Sequence, residues 1–287
     1  MAKPIFSYNN FIDLDATVLS GGDWLSTLPL ANAKSRELAK VTRSVTDAAA
    51  DTQFDADLGA ARLVRTMGVF GLNLSLQGRI RVRGYTGASH TGEVFDTGTV
   101  NPFEIYPSGV LEAGHPASGG TTLALEDWTD GYPVGWSYAL STPVSPRYLW
   151  FEFTDTANAD TFVEFGRPWI SYGYQPSHGV SVGQRITYKT KTRVEETWGG
   201  AHVYGERPRR RVIDVGLDMF EEDESLVYLM ELNRRLGTHG QCHYIGNPED
   251  VEHMHRQSGL FTLESLKPLV FKRSLFNNQG YTLTEEL

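Results

Sequence analysis

The chain has 287 residues, of which 40% are hydrophobic and 21% charged, and its formal net charge is −9. At roughly 100 to 200 residues per domain that length fits about two folded domains, and the aromatic content of 11% argues against disorder. Residues 1–176 carry 12 basic against 19 acidic groups, a net −7; residues 177–287 carry 14 against 16, a net −2. Neither half has the clustered cations that a phosphate backbone requires. The one dense basic run, 207–211, is too short to imply nucleic acid.

Residues 1–176 read as mostly β. Strands are predicted at Ala16 to Leu19, Val41 to Ser44, Thr52 to Leu58, Leu63 to Leu72, Gly78 to Tyr85, Tyr138 to Leu140, Tyr148 to Asp155 and Phe162 to Ile170, punctuated by Gly, Pro, Asn and Asp. Short strands at this spacing suggest a sandwich. Ile80 and Val82 alternate with Arg79, Arg81 and Arg83, which sends three guanidiniums outward onto a solvated face shared with Asp and Glu. The Gly-rich stretch between Tyr85 and Tyr138 holds Phe103, Tyr106, Trp128, Tyr132 and Trp136, aromatics that either cover the open end of a sandwich or meet a partner.

Residues 177–287 change character. Two half-buried strands are predicted, within Val180 to Glu196 and over Arg211 to Met219; in the second, Ile213, Val215, Leu217 and Met219 share one face. A helix follows over Glu221 to Leu236, with four acids in its first turn, Arg234 and Arg235 in its last, and Gly237 as its stop. Leu226, Leu229, Met230 and Asn233 would form its inner face. Strands are expected at Gln241 to Ile245, Leu260 to Leu263, Leu269 to Ser274 and Tyr281 to Leu287, with 277–280 as a hairpin turn. The division is therefore a β-sandwich over 1–176 and an α+β unit, one helix on an antiparallel sheet, over 177–287.

No G-x-S-x-G, G-x-x-x-x-G-K or H-E-x-x-H occurs, which removes the strongest signals for a serine hydrolase, an NTPase and a zinc peptidase. A glycosidase leaves no such signature, so it stays as a third reading. His239, Cys242, His243, His253 and His255 form the densest cluster of metal-type residues, but they read as solvated loop histidines, and no metal or cofactor is expected. Asp13, Asp15, Asp55 and Asp57 lack the D-x-D-x-D-G pattern of a calcium loop. The single cysteine, Cys242, cannot form an intramolecular disulfide and reads as a small, buried strand residue. The N-terminus has no apolar h-region and no window reaches the ~18 apolar residues of a membrane helix, so a soluble chain made without export, and without membrane insertion, is expected.

Taken in order, 36–44, 54–59, 64–74, 78–84 and the paired runs Tyr148 to Phe153 and Val163 to Ile170 resemble the galactose-binding-like jelly-roll modules of tailed phages. The segment 211–248, a strand leading into an acidic-start helix, Gly237 and the Asn247-Pro248 turn, is more loosely similar to the α+β domain of siphophage distal tail and baseplate proteins. The order of the two halves departs from that family, which often places its ring-forming domain first. The resemblance implies a non-enzymatic virion subunit of the tail tip or baseplate, made in the bacterial cytoplasm. Its partners would be further copies of itself and other tail proteins such as tube, hub or fibre, with no nucleic acid. The alternative is a carbohydrate-binding module for host receptor attachment, in which Trp128, Tyr132, Trp136 or Trp169 would stack on sugar rings.

Overall fold

The computed structural model describes residues 3–102, 135–180, 184–205, 207–250, 254–273 and 276–287. The chain folds as two compact units, one of Ala2–Gln175 with His243–Gly259 and one of Pro176–Cys242 with Leu260–Leu287. The segment 243–259 thus groups with the chain's first part.

The first unit contains β1 (Ile5–Ser7), β2 (Val18–Ser20), β3 (Thr42–Arg43), β4 (Phe54–Asp57), β5 (Val64–Phe70), β6 (Arg79–Gly87), β7 (Thr91–Asp96), β8 (Gly135–Val144), β9 (Tyr148–Thr154), β10 (Glu164–Phe165) and β11 (Arg167–Ser171). A five-stranded antiparallel sheet in the order β2-β4-β9-β6-β7 and a three-stranded sheet β11-β5-β8 form a jelly-roll sandwich, and β3 pairs with β10 beside them. Period-2 alternation builds the core. Phe54, Ala56, Ile80, Val82, Leu149, Phe151 and Phe153 point inward from the larger sheet, against Val64, Met67, Val69 and Ile170 from the smaller. Phe54 stacks on Phe151 at 4.7 Å and on Phe165 at 5.4 Å, each near parallel. Gly84 leaves room for Phe95, since a Cβ there would lie 2.1 Å from the ring.

β1 and β7 have no counterpart among the predicted strands. The single strand expected over Phe162 to Ile170 is two, β10 and β11, which Gly166 separates. The polar turn after β9 is closed by Asp155, whose carboxylate accepts from the Ser75 amide at 2.5 Å and the Ser75 hydroxyl at 2.6 Å. At the free edge of β11, the Asn10 side chain accepts from the Ile170 amide at 3.0 Å and donates to the Pro168 carbonyl at 3.0 Å. One side chain thereby occupies the positions a further strand would take.

The second unit contains β12 (Arg185–Lys189), β13 (Arg193–Glu196), β14 (His202–Gly205), β15 (Arg210–Phe220), part of β16 (Gln241–Ile245), β17 (Ser258–Ser265), β18 (Val270–Arg273) and β19 (Phe276–Glu285). Its sheet runs β17-β19-β15-β12, with β18 also on β19. The mainly β character, with a helix on an antiparallel sheet, follows the sequence reading.

Three local expectations differ from the structure. Alternation in β15 holds through Leu217, then a bulge with Met219 in the left-handed region (φ 66°) turns that residue out to 57% exposure and drops Phe220 inside. The helix over 222–236 contains a π segment, Ser225–Met230, and its buried face is Ser225, Leu229, Leu232 and Leu236. Leu226 and Met230 are therefore exposed. The 277–280 stretch is strand, where Asn277 donates to the Ser225 hydroxyl at 2.6 Å and Gln279 to the Lys267 carbonyl at 2.9 Å, giving their buried N–H groups acceptors inside the fold.

Candidate functional site

Trp128 and Tyr132 lie outside the described residues. Trp136 is 3% exposed on β8, opposite Val69 and in ring contact with Tyr138 at 5.7 Å, and Trp169 is 1% exposed. Trp136 points into the sandwich core, whereas Trp169, next to the inward-pointing Ile170, is buried on the other face of its sheet beside His243 at 6.4 Å, so neither offers a face to a sugar. The reading of the histidine cluster as solvated loop residues fails at His243, which lies in the buried strand β16. His243 is fully buried, 3.0 Å from the Ser137 hydroxyl, and burial lowers its pKa to about 3. Cys242 is buried as expected. Among the described residues no three His, Cys, Asp or Glu side chains are placed to hold a metal ion. His253 is outside them.

Two surfaces remain. The first is the outward face of the five-stranded sheet. Registers β6 to β9 set Arg83 opposite Trp150 and Arg81 opposite Glu152, and β4 to β9 sets Asp55 opposite Trp150. Arg81 binds Asp96 through two bonds of 3.0 and 2.5 Å, and the guanidinium holds that carboxyl below its ordinary value. Arg83 donates twice to Glu152, at 3.1 and 2.8 Å, and its guanidinium carbon lies 4.0 Å from the Trp150 ring centroid. Arg147 pairs with Asp57 at 2.9 and 3.0 Å, lowering the Asp57 pKa. The β6-β7 hairpin turns through Ser89 (φ 55°) and His90 (φ 58°), consecutive left-handed residues that cost roughly 1 kcal/mol or more each without glycine. That turn stacks His90 on Trp150 at 4.2 Å and 7°, with Nε2 2.8 Å from Asp55. A cleft of about 160 Å³ opens beside this face between Arg79, Arg81, Thr99, Glu152 and Thr154. Each arginine of Arg81, Arg83 and Arg147 has a carboxylate partner, so the face is a self-neutralised grid with one half-buried indole. Trp150 was missed by sequence reasoning, although the alternation of Tyr148 to Phe153 already turns it outward.

The second surface is in the other unit. The β12-β15 ladder, Arg185 opposite Asp214 through Lys189 opposite Arg210, runs on into the β13-β14 hairpin, Arg193 opposite Gly205 through Glu196 opposite His202. Strands β12, β13 and β14 are exposed on both faces, while the β15 residues opposite β12 are largely buried. Ile186, Tyr188, Val194, Val203 and Tyr204 are 45 to 60% exposed, and Trp198, in the hairpin turn, has 110% relative exposure. The expected half-buried strand is thus a projecting arm. Its alternation of apolar and polar residues is that of a strand with one covered face, yet nothing among the described residues covers it.

No protein-family model matches the chain, and no curated protein matches it. Solved structures similar to it include carbohydrate-binding modules and lectins, and enzymes that carry such modules. The CBM32-1 module of a family 31 glycoside hydrolase from Clostridium perfringens is 14% identical, covers 57% of this chain and 98% of its own, and has a TM-score of 0.36. The family 32 module of C. perfringens NanJ, in complex with galactose, is 10% identical over 58% of this chain and 98% of its own, with TM-score 0.36. A fucolectin from striped bass, Morone saxatilis, is 10% identical over 98% and 99%, also at 0.36. The jelly-roll assignment rests on the strand order itself.

Proposed function

We propose that the chain is a non-catalytic assembly subunit of a phage tail tip or baseplate, built into the virion beside tube, hub or fibre proteins. The observation that carries this reading is the arm. The β13-β14 hairpin is a two-stranded ribbon, marginal alone in water; it exposes Val194, Val203 and Tyr204 with Trp198 at its turn, and the adjoining edge strand β12 exposes Ile186 and Tyr188, a continuous apolar surface suited to cover by another subunit. The self-neutralised sheet face supports the same reading, because its cations and anions are spent on each other and no convergent catalytic set is formed there. The test is incorporation: an antibody or mass-spectrometric search of purified particles should find the chain in the tail, and purified chain should form discrete oligomers visible by negative-stain microscopy. A chain that is monomeric at every concentration and absent from particles refutes the proposal.

A second reading, attachment to a host surface glycan, is favoured by Trp150. Its half-buried indole lies among Arg83, Asp55 and Glu152, but His90 and Arg83 already pack on the ring, so a sugar would reach it only by displacing the His90 turn. Binding on a glycan array that Trp150→Ala abolishes would support it; an array without signal removes it.

A further inference from the structure

The arm is also electrically distinct. Residues 185–210 carry seven Lys or Arg against three Glu, a net +4, so the other 261 residues of this −9 chain carry −13. A positively charged ribbon on a strongly acidic protein is repelled by its own kind and attracted by the rest of the same chain. In the same unit the helix over 222–236 presents a patch of matching chemistry. Leu226, Val227 and Met230 are 39, 59 and 55% exposed, because the π segment turns Leu229 and Leu232 to the sheet and leaves these three outside. The exposed acids Glu221, Glu222 and Asp223 lie directly N-terminal to them.

We propose that the arm of one copy seats on this acid-rimmed helix face of a second copy, its apolar side chains on Leu226, Val227 and Met230 and its cations toward Glu221, Glu222 and Asp223. This rests on the assembly reading above and names the partner of its arm. The two patches are different surfaces of one unit, so the contact is head-to-tail: copies repeat it around an axis into a ring, or onward as a filament. Apolar centre and charged rim divide the labour in the usual way, the first setting residence time and the second orientation and encounter rate.

The experiment is a charge exchange in the full-length chain, read by sedimentation velocity and electron microscopy. Lys191→Glu with Arg209→Glu reverses exposed arm positions, and Glu222→Lys with Asp223→Lys reverses the helix rim. Either pair alone should weaken self-association by at least about tenfold in Kd, and 0.5 M salt should weaken the wild type similarly. All four changes in one chain should restore self-association while preventing co-assembly with wild type. Far-UV circular dichroism and melting temperature of each variant should match wild type, which separates lost docking from lost folding. Should the rim reversal leave association intact, or the fourfold variant fail to recover it while folding normally, the arm-to-helix contact is overturned though assembly stands. A wild-type chain that never self-associates overturns the assembly reading itself.

Discussion

Arg211 and Glu285 pair across β15 and β19 at 2.6 Å, with side chains only 4% and 8% exposed. Glu285 also accepts from the Arg211 backbone amide at 3.1 Å, and the guanidinium carbon lies 5.3 Å from the Phe261 ring centroid. Arg211→Leu keeps a hydrophobic stem beside Phe261 but strands the carboxylate in the interior with the backbone amide still donating to it. Removing one member of a buried pair costs about 3 to 5 kcal/mol. In Arg211→Leu with Glu285→Leu the charge is gone, and what persists is one amide without its acceptor, about 1 to 2 kcal/mol. The double variant should therefore be more stable than the single by roughly 1 to 4 kcal/mol. Urea denaturation at pH 7, followed by circular dichroism, checks this. A single variant within about 1 kcal/mol of wild type, or a double no better than the single, refutes the view that the cost lies in an uncompensated charge.

Gly84→Ala should destabilise the sandwich by about 1 to 3 kcal/mol, because its Cβ meets the Phe95 ring at 2.1 Å and the ring must move; unfolding titrations will show whether Phe95→Ala in the same chain relieves the clash. Phe54→Ala should cost about 3 to 5 kcal/mol, since it opens the stack with Phe151 and Phe165, and thermal melts will register it. His243 titrates at about 3 when folded against 6.5 as the ordinary value, so the unfolded chain takes up its proton first. Stability from this group is complete above pH 6.5 and is lost as pH falls toward 3, at up to about 1.4 kcal/mol per pH unit. His243→Gln should flatten the pH dependence between about 6 and 4 by one proton, measured as the slope of unfolding free energy; an unchanged slope refutes the assignment.

Where local pattern and tertiary environment agree, the chain could be read directly. β16 was predicted at its observed bounds, and β6 was predicted with its arginines outward, because strict alternation leaves one way to bury Ile80 and Val82. The failures have tertiary causes. A left-handed Met219 has no local signal, and a π segment moves the helix's inner face by changing the spacing on which a helical-face argument depends. Asn277 and Gln279 carry turn chemistry, but partners distant in sequence let them lie inside a sheet. Tryptophan as a residue type could not separate site from core. Strand phase puts Trp136 inside and Trp150 outside, but Trp169 has the outward phase and is buried only because His243 and its neighbours cover that face of β11. The arm was illegible for the opposite reason, since its apolar periodicity reads as a covered strand face and nothing among the described residues covers it.

Asn10 bears on how such a chain avoids wrong assemblies. A β-rich chain with open sheet edges risks pairing edge to edge with other chains into amyloid-like aggregates. By donating to Pro168 and accepting from Ile170, a single amide side chain fills the free rim of β11, where Pro168 in any case offers no N–H. The jelly roll is thereby closed to strand addition at that rim. A hydrogen-bonded side chain from elsewhere in the chain thus acts as a gatekeeper on one of the two edges of this sheet, leaving β8 as the other.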